Sequence, residues 1–434
     1  MRLTSLSMKN FAPFADGEVC FPAVENCGEL AEVHLLTGEN GTGKTRVLAA
    51  LMASLGNLNE LQDRVRQDSG TDLVVGAWSS WMADSFPGTD GDSGELKWAY
   101  RNGGAAPGAE IFADQILNRH GDLKAEAEDH GRTPYPPPGE GWAMAGTGAT
   151  LPGNAKTVAG AEVPPARADE ALVLGGPAGG AGIHQRLLNL RTDVAVEKDS
   201  PGSAQRLTAC LHALEKTITG ITGREFALQV GRRRELMVQW GRGEPLYFSE
   251  LPDGLRSLLN WLAGWVVLQA EHYGESPEPL KMPVVLILDE PENHMHPAWQ
   301  RRVLPEVQRL FPNAQMFVVT HSPFVVCSLN CGWIHRFVRK ADGLVKVEAA
   351  TPAQEGDTYA DAVQDVLGLK AIERFDPESE ELLDQFQSLL RKAERGKVPH
   401  SELEKKAEKL RKRGGEVASV VETEMYQLAA LGAS

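Results

Sequence analysis

The sequence predicts an α/β fold: a mixed sheet flanked by helices, with an inserted lobe and a helical C-terminal region. Three observations lead there. Short apolar runs end in turns rich in glycine or carboxylate and pass into helical periodicity, the alternation that builds a sheet covered by helices. A Gly-, Pro- and Ala-rich stretch interrupts them. The last eighty residues are charged and patterned as helix, with breaks near Gly396 and at Gly414-Gly415.

Taken in order, Leu6 and Met8 alternate with Ser5 and Ser7, Glu18–Phe21 is a second short run, and Glu32–Thr37 is a third that ends in a glycine turn. From Lys44 the pattern becomes helical to about Leu55, with Gly56 as its stop. Residues 57–130 are mixed, with Trp78, Trp81, Phe86 and Trp98. Gly131–Gly182 holds 12 Gly, 8 Pro and 11 Ala, a composition that suits an extended loop or lid and disfavours long helices and central strands. Ala204–Ile218 is amphipathic and helical. Phe226–Val230 and Leu236–Trp240 read as a strand pair around Gly231-Arg-Arg-Arg234. A long apolar helix runs from Leu255 to about His272. Val284–Leu288 is a nearly continuous apolar run, as in a strand buried on both faces. A helix near Ala298–Phe311 and a second buried strand, Gln315–Thr320, complete the alternation. The parts are 1–66 and 191–350 as two halves of one core, 67–190 as an inserted lobe, and 351–434 as a helical, partner-binding region.

Composition bounds the function. The 434 residues carry 44 Lys+Arg against 59 Asp+Glu, a net charge of −15, which argues against coating a polyanion by bulk charge. At 42% hydrophobic residues the chain buries a sizeable core. Leu258–Ala270, the longest apolar stretch, contains Asn260 and is too short to cross a bilayer. No secretion signal is visible. Cys20, Cys27, Cys210, Cys327 and Cys331 are odd in number and scattered, so we expect no disulfide framework, and Cys327 and Cys331 as small core residues rather than zinc ligands. The expectation is a cytoplasmic protein.

The motifs carry the chemistry. Gly38-Glu39-Asn40-Gly41-Thr42-Gly43-Lys44-Thr45 matches G-x-x-x-x-G-K-[ST] between a strand and a helix, followed by Arg46. Its glycines let backbone N–H groups wrap phosphate oxygens, and the helix start points its positive end at the same anion. Lys44 then reaches the β- and γ-phosphates of ATP, and Thr45 offers a hydroxyl to Mg²⁺. Asp289 and Glu290 end the apolar run 284–288: Asp289 is a second Mg²⁺ ligand, and Glu290 polarises the attacking water. Two adjacent carboxylates ionise together more readily beside a cation. His321, after the next apolar strand, is a γ-phosphate and water contact. Leu251-Pro-Asp253-Gly254-Leu-Arg-Ser257 opens the long helix, and is equally a phosphate contact across an interface or a plain Pro-Asp-Gly turn. His335 and His400 are lone and read as structural or surface groups. Arg232–Arg234 and Lys405–Arg413 read as solvated faces more than phosphate contacts.

These features, in this order, resemble the P-loop NTPase heads of the ABC type, in the branch that includes SMC, RecF and overcoming-lysogenisation-defect proteins. Met1–Phe11 is similar to that branch's first strand and Asn-Phe turn. Asp289-Glu-Pro-Glu-Asn-His-Met-His-Pro297 resembles a run in AAA-type ATPases of bacterial anti-phage systems, the Septu ATPase among them. The likeness covers about residues 1–56 and 245–330, more loosely 355–395. It implies ATP held at Lys44, Thr45, Asp289, Glu290 and His321 of one protomer. A second protomer would close the site with Leu251–Leu255, Gly254 facing the γ-phosphate. Pro252 stands where that family usually places a Ser, with Ser249 and Ser257 as the flanking hydroxyls. The family's Mg²⁺-sensing Gln has no placed counterpart here. The expected function is a Mg²⁺-dependent ATPase that dimerises, or forms a higher homo-oligomer, around ATP. It would regulate a separate effector, a nuclease in the first instance, in anti-phage defence. The alternatives are a RecF/SMC-like repair ATPase that binds DNA directly, and a nucleotide-locked scaffold with little turnover.

Overall fold

The structure is a computed structural model that describes residues 2–9, 11–24, 28–54, 74–80, 95–101, 142–147, 181–196, 201–232, 235–273, 276–329, 331–353, 376–393 and 400–432. The expectations placed on Gly56, on Arg233 and Arg234, on Gly396 and on most of 67–190 lie outside these residues.

The chain divides into two compact units, residues 1–362 and 363–434. In the first, β1 (Arg2–Lys9), β2 (Gly17–Cys20) and β3 (Glu32–Gly38) lead into α1 (Lys44–Ser54). Next come β4 (Val74–Ser80), β5 (Glu95–Arg101) and β6 (Trp142–Thr147), then α2 (Ala181–Val196) and α3 (Pro201–Thr222). The strands β7 (Phe226–Val230), β8 (Leu236–Trp240) and β9 (Leu246–Tyr247) follow. After them α4 (Asp253–Leu258) passes through a π segment, Leu259–Ala263, into α5 (Gly264–His272). The chain continues through β10 (Val284–Asp289), α6 (Pro297–Leu310), β11 (Ala314–Val319) and α7 (Pro323–Val326). It closes the unit with β12 (Trp333–Arg339), β13 (Val345–Val347) and β14 (Thr351–Pro352).

The main sheet is mixed, in the order β13-β12-β3-β11-β10-β6, with β14 also on β12. The strands β12, β3, β11, β10 and β6 are mutually parallel, and β13 and β14 run antiparallel to β12. A second, antiparallel sheet has the order β2-β1-β4-β5. Between the two sheets lies α1. Its residues Val47 to Met52 are all 0% exposed, as expected for a helix that is apolar all round. Leu3, Leu6, Met8 and Val19 close on it from the antiparallel sheet, and Leu36, Val285, Ile287, Phe317 and Val319 from the parallel one. The pair β7/β8 is an antiparallel hairpin, as its alternation predicts. The π segment inside the long apolar helix, where the reading expected regular helix, carries fully buried Trp261.

Two readings change. Residues 142–147, inside the stretch read as loop, form a strand parallel to β10. The six residues WAMAGT contain no proline, and a sheet end needs pairing from one neighbour alone. Cys331 is disulfide-bonded, where none was expected, while Cys20 and Cys210 are free thiols.

The second unit contains α8 (Pro377–Ala393), α9 (His400–Arg411) and α10 (Gly415–Gly432). Leu383, Phe386, Leu390, Leu403, Ala407, Leu410, Val417 and Val421 form its core. Among the described residues no helix is long and apolar enough to cross a membrane.

Candidate functional site

Three adjacent parallel strands, β3, β11 and β10, place their C-terminal ends on one edge, where α/β sheets bind ligands. The loop after β3 turns tightly because Gly41 and Gly43 adopt φ of +76° and +87°. Gly43 also has no room for a side chain: a Cβ would lie 2.7 Å from the Phe14 ring and 2.9 Å from Pro13. The Thr42 hydroxyl donates to the Glu39 carbonyl at 2.8 Å. Lys44 Nζ donates to the Gly38 and Glu39 carbonyls, both at 2.9 Å, so the ammonium is folded into its own loop. Burial pulls the Lys44 pKa down to about 8, against the opposing pull of Glu290 and Asp289. The α1 helix begins at Lys44, and the N–H donors of its first turn face the loop's concave side.

The loop after β10 carries the carboxylates. Thr45 Oγ1 donates to Asp289 Oδ2 at 3.1 Å, tying the phosphate loop to that strand. Glu290 adopts φ +49°, the left-handed region where a non-glycine residue is strained, and its N–H donates to the Val319 carbonyl at 2.9 Å. Its two oxygens face different neighbours: Asn293 Nδ2 donates to Oε2 at 2.9 Å, and His321 Nε2 stands 3.6 Å from Oε1. Burial lowers the His321 pKa, and the Lys44 charge lowers it further, while Glu290 raises it. Between these loops lies Glu292, 6% exposed, accepting at Oε1 from Thr320 Oγ1 (2.5 Å), His321 N (3.1 Å) and Ser322 N (3.2 Å). Gln300 completes the tie by accepting from Ser322 Oγ at 2.6 Å and donating to the Met295 carbonyl at 3.0 Å.

Lys44, Thr45, Asp289, Glu290 and His321 are thus brought together from positions far apart in sequence. Glu39, Asn40 and Gly41 line the exposed lip of the loop. Arg46 turns aside and donates to the Ala12 carbonyl. Asp253 and Gly254 are not brought to the set: Asp253 pairs with Arg256, and Gly254 is buried where a Cβ would collide with the His294 carbonyl. Pro252 caps that helix without a side-chain hydrogen bond. The sequence reading assigned no role to Glu292, Asn293 or Gln300. The first two lie inside the Asp289–Pro297 run, and that run was the available signal.

The donor set fits a hard cation. A Thr hydroxyl and one carboxylate are oxygen ligands suited to Mg²⁺, which keeps waters and takes further ligands from substrate phosphates. Among the described residues no cluster of three or more His, Cys, Asp or Glu forms a metal cage, so such an ion would depend on the phosphates it bridges.

Two family models match the chain. One, described as "AAA domain, putative AbiEii toxin, Type IV TA system", matches residues 181–327, and another, described as "AAA domain", matches residues 1–82. These stretches contain the phosphate loop and both loops facing it. The Septu protein PtuA of Bacillus thuringiensis is 25% identical over 141 residues, 31% of this chain and 35% of that protein. The "Retron Vc95 probable ATPase" of Vibrio cholerae serotype O1 biovar El Tor is 29% identical over 20% of this chain and 16% of its own length. The "Retron Ec83 probable ATPase" of Escherichia coli is 40% identical over 13% and 10%. The chain therefore matches about a third or less of the length of each of these relatives. A solved SMC head bound to the C-winged helix domain of ScpA superposes with a TM-score of 0.47 at 14% identity, over 81% of this chain and 98% of that one, a likeness too loose to carry an argument. The two AAA-domain models matched on both halves of the site, together with these relatives, make the chain similar to AAA-type domains and to the Septu and retron proteins.

Proposed function

We propose that this chain binds ATP with Mg²⁺ at Lys44, Thr45 and Asp289 and hydrolyses it with Glu290 as the base. The observation that carries the reading is the meeting of Thr45, Asp289, Glu290 and His321 beside the buried Lys44. Phosphoryl transfer to water asks for charge neutralisation and a positioned nucleophile. The glycine loop and the start of α1 cradle the phosphates. Lys44 leaves its loop carbonyls for the β- and γ-oxygens. Thr45 and Asp289 would hold Mg²⁺, which would supply neutralisation of the phosphate charge. Glu290 Oε1 faces the space beside His321 and takes the water's proton, and His321 orients the water and the γ-phosphate.

In this reading two copies close around ATP, each offering Leu251–Leu255 to the other's nucleotide. The dimer, or a higher homo-oligomer, then controls a separate effector of nuclease type in bacterial anti-phage defence. Support for the defence role is the kinship with the Septu and retron proteins. The proposal places the protein in the cytoplasm. The competing reading, direct DNA binding by a repair ATPase, predicts affinity that falls steeply with salt.

The test is nucleotide turnover and mass in solution. Lys44→Ala abolishes ATP binding. Glu290→Gln retains it, lowers kcat by on the order of 10²- to 10⁴-fold, and accumulates an ATP-dependent dimer in light scattering. Absence of Mg²⁺-dependent ATP binding by the unaltered protein overturns the reading.

A further inference from the structure

We propose that Glu292 is a positioning residue for the hydrolytic step: a buried carboxyl that fixes His321 against Glu290 by gathering the backbone of the loop that carries it. The inference rests on the ATPase reading above and deepens it.

Glu292 Oε1 accepts from three donors on three consecutive residues: Thr320 Oγ1, His321 N and Ser322 N. Its second oxygen, Oε2, is buried without a hydrogen-bond partner. A carboxyl so placed is expensive, because it is removed from water and faces no cation. Burial and the neighbouring Glu290 both push its pKa up, and the bonds from Thr320 and from the loop backbone oppose them. Costly buried groups gather where geometry must be held.

What the acid holds is specific. His321 N is one of the three donors, and His321 Nε2 stands 3.6 Å from Glu290 Oε1. Gln300 grips Ser322 from the other side at 2.6 Å. The loop is therefore fixed at Thr320, His321 and Ser322, and the imidazole has little freedom to retreat from Glu290. Without Glu292, the His321 N–H loses its acceptor, the Ser322 N–H keeps only Thr320 Oγ1, and the loop relaxes. A displacement of about 1 Å at a reacting group costs on the order of 10²-fold in rate.

The test uses the full chain with Glu292→Gln and Glu292→Leu. Gln keeps an acceptor of the same shape, and Leu removes it. We expect Glu292→Gln to retain kcat within about threefold, and Glu292→Leu to lose on the order of 10²-fold in kcat, with fluorescent-ATP affinity within about threefold of the unaltered protein. Glu292→Leu combined with His321→Ala should lose no more than His321→Ala alone, because both act through one imidazole. A readout independent of turnover is the His321 ring resonance, identified by its loss in His321→Gln. It shifts in Glu292→Leu and stays in place in Glu292→Gln. If the resonance stays put in a folded Glu292→Leu, or if the two losses in kcat multiply, the proposal is overturned. If the unaltered protein fails to bind ATP, the ATPase reading fails instead, while the resonance still decides the role of Glu292.

Discussion

At the φ of +49° held by Glu290, the carboxylate leaves β10 in a direction that packing alone does not fix. Asn293 fixes it, donating from Nδ2 to Oε2 at 2.9 Å and leaving Oε1 toward His321. Asn293→Ala should therefore lower kcat by on the order of tenfold while nucleotide affinity stays within about twofold, since the amide touches the base and not the phosphates. Steady-state kinetics beside fluorescent-ATP titration check this, and an equal loss in affinity would count against it. These two residues also show where the sequence stopped being readable. Asp289 and Glu290 announce themselves because an apolar strand that ends in carboxylates is a local pattern. Asn293 and Glu292 sit in the same run, yet their work depends on a left-handed turn and on a loop about thirty positions away. Neither feature leaves a trace in local spacing.

Among the elements, legibility followed hydropathy. The strands β10 and β11 were readable because both faces are buried, giving continuous apolar runs. The strand β12, Trp-Ile-His-Arg-Phe-Val-Arg, was not, although it pairs along the whole of β3's second half. Its buried His335 is paired at 3.1 Å with His34 on the neighbouring strand, and a satisfied polar pair hides a core strand from any apolar pattern. The element that begins at Pro252 poses the reverse problem. A Ser there would add an N-cap acceptor worth about 0.5–2 kcal/mol, while losing the ring's stiffening of the unfolded chain, about 0.4–1 kcal/mol. The two nearly cancel, so Pro252→Ser should leave the Tm almost unchanged. If Leu251–Leu255 closes on a partner's nucleotide, the new hydroxyl should strengthen the ATP-dependent dimer in a Glu290→Gln background. Light scattering at matched concentrations reads the difference, and equal dimer fractions would remove Pro252 as the brake on closure.

Across the first unit, the two sheets and α1 are secured by a buried polar network as well as by apolar packing. Arg2 pairs with Glu32 at 2.7 Å, Glu32 bonds His34 at 2.6 Å, and Gln315 links Glu32 to the Leu3 carbonyl. His34 and His335 are 0% and 1% exposed, and His184, packed against the Phe248 ring at a tilt, is 3% exposed. Burial drives all three imidazoles toward neutrality: His34 is lowered, His184 falls to about 4 and His335 to about 3. Their folded pKa values lie below the unfolded value near 6.5, so the unfolded chain binds the extra protons. The stability they contribute is complete above about pH 6.5 and is lost as pH falls from there toward 3 or 4. Each histidine contributes at most about 1.4 kcal/mol per pH unit in that window. Glu292, held above the usual carboxylate range, acts in the opposite sense, and one carboxyl does not offset three histidines. Lys44, at about 8, is protonated throughout and leaves the slope unchanged. Unfolding should therefore take up about two protons near pH 5.5 from His184 and His335, His34 adding to them in the same direction, and the Tm should fall steadily between pH 7 and pH 5. Calorimetry in buffers of different ionisation enthalpy measures both quantities. A Tm independent of pH across that interval would mean that the imidazoles reach solvent and carry their protons in the folded state.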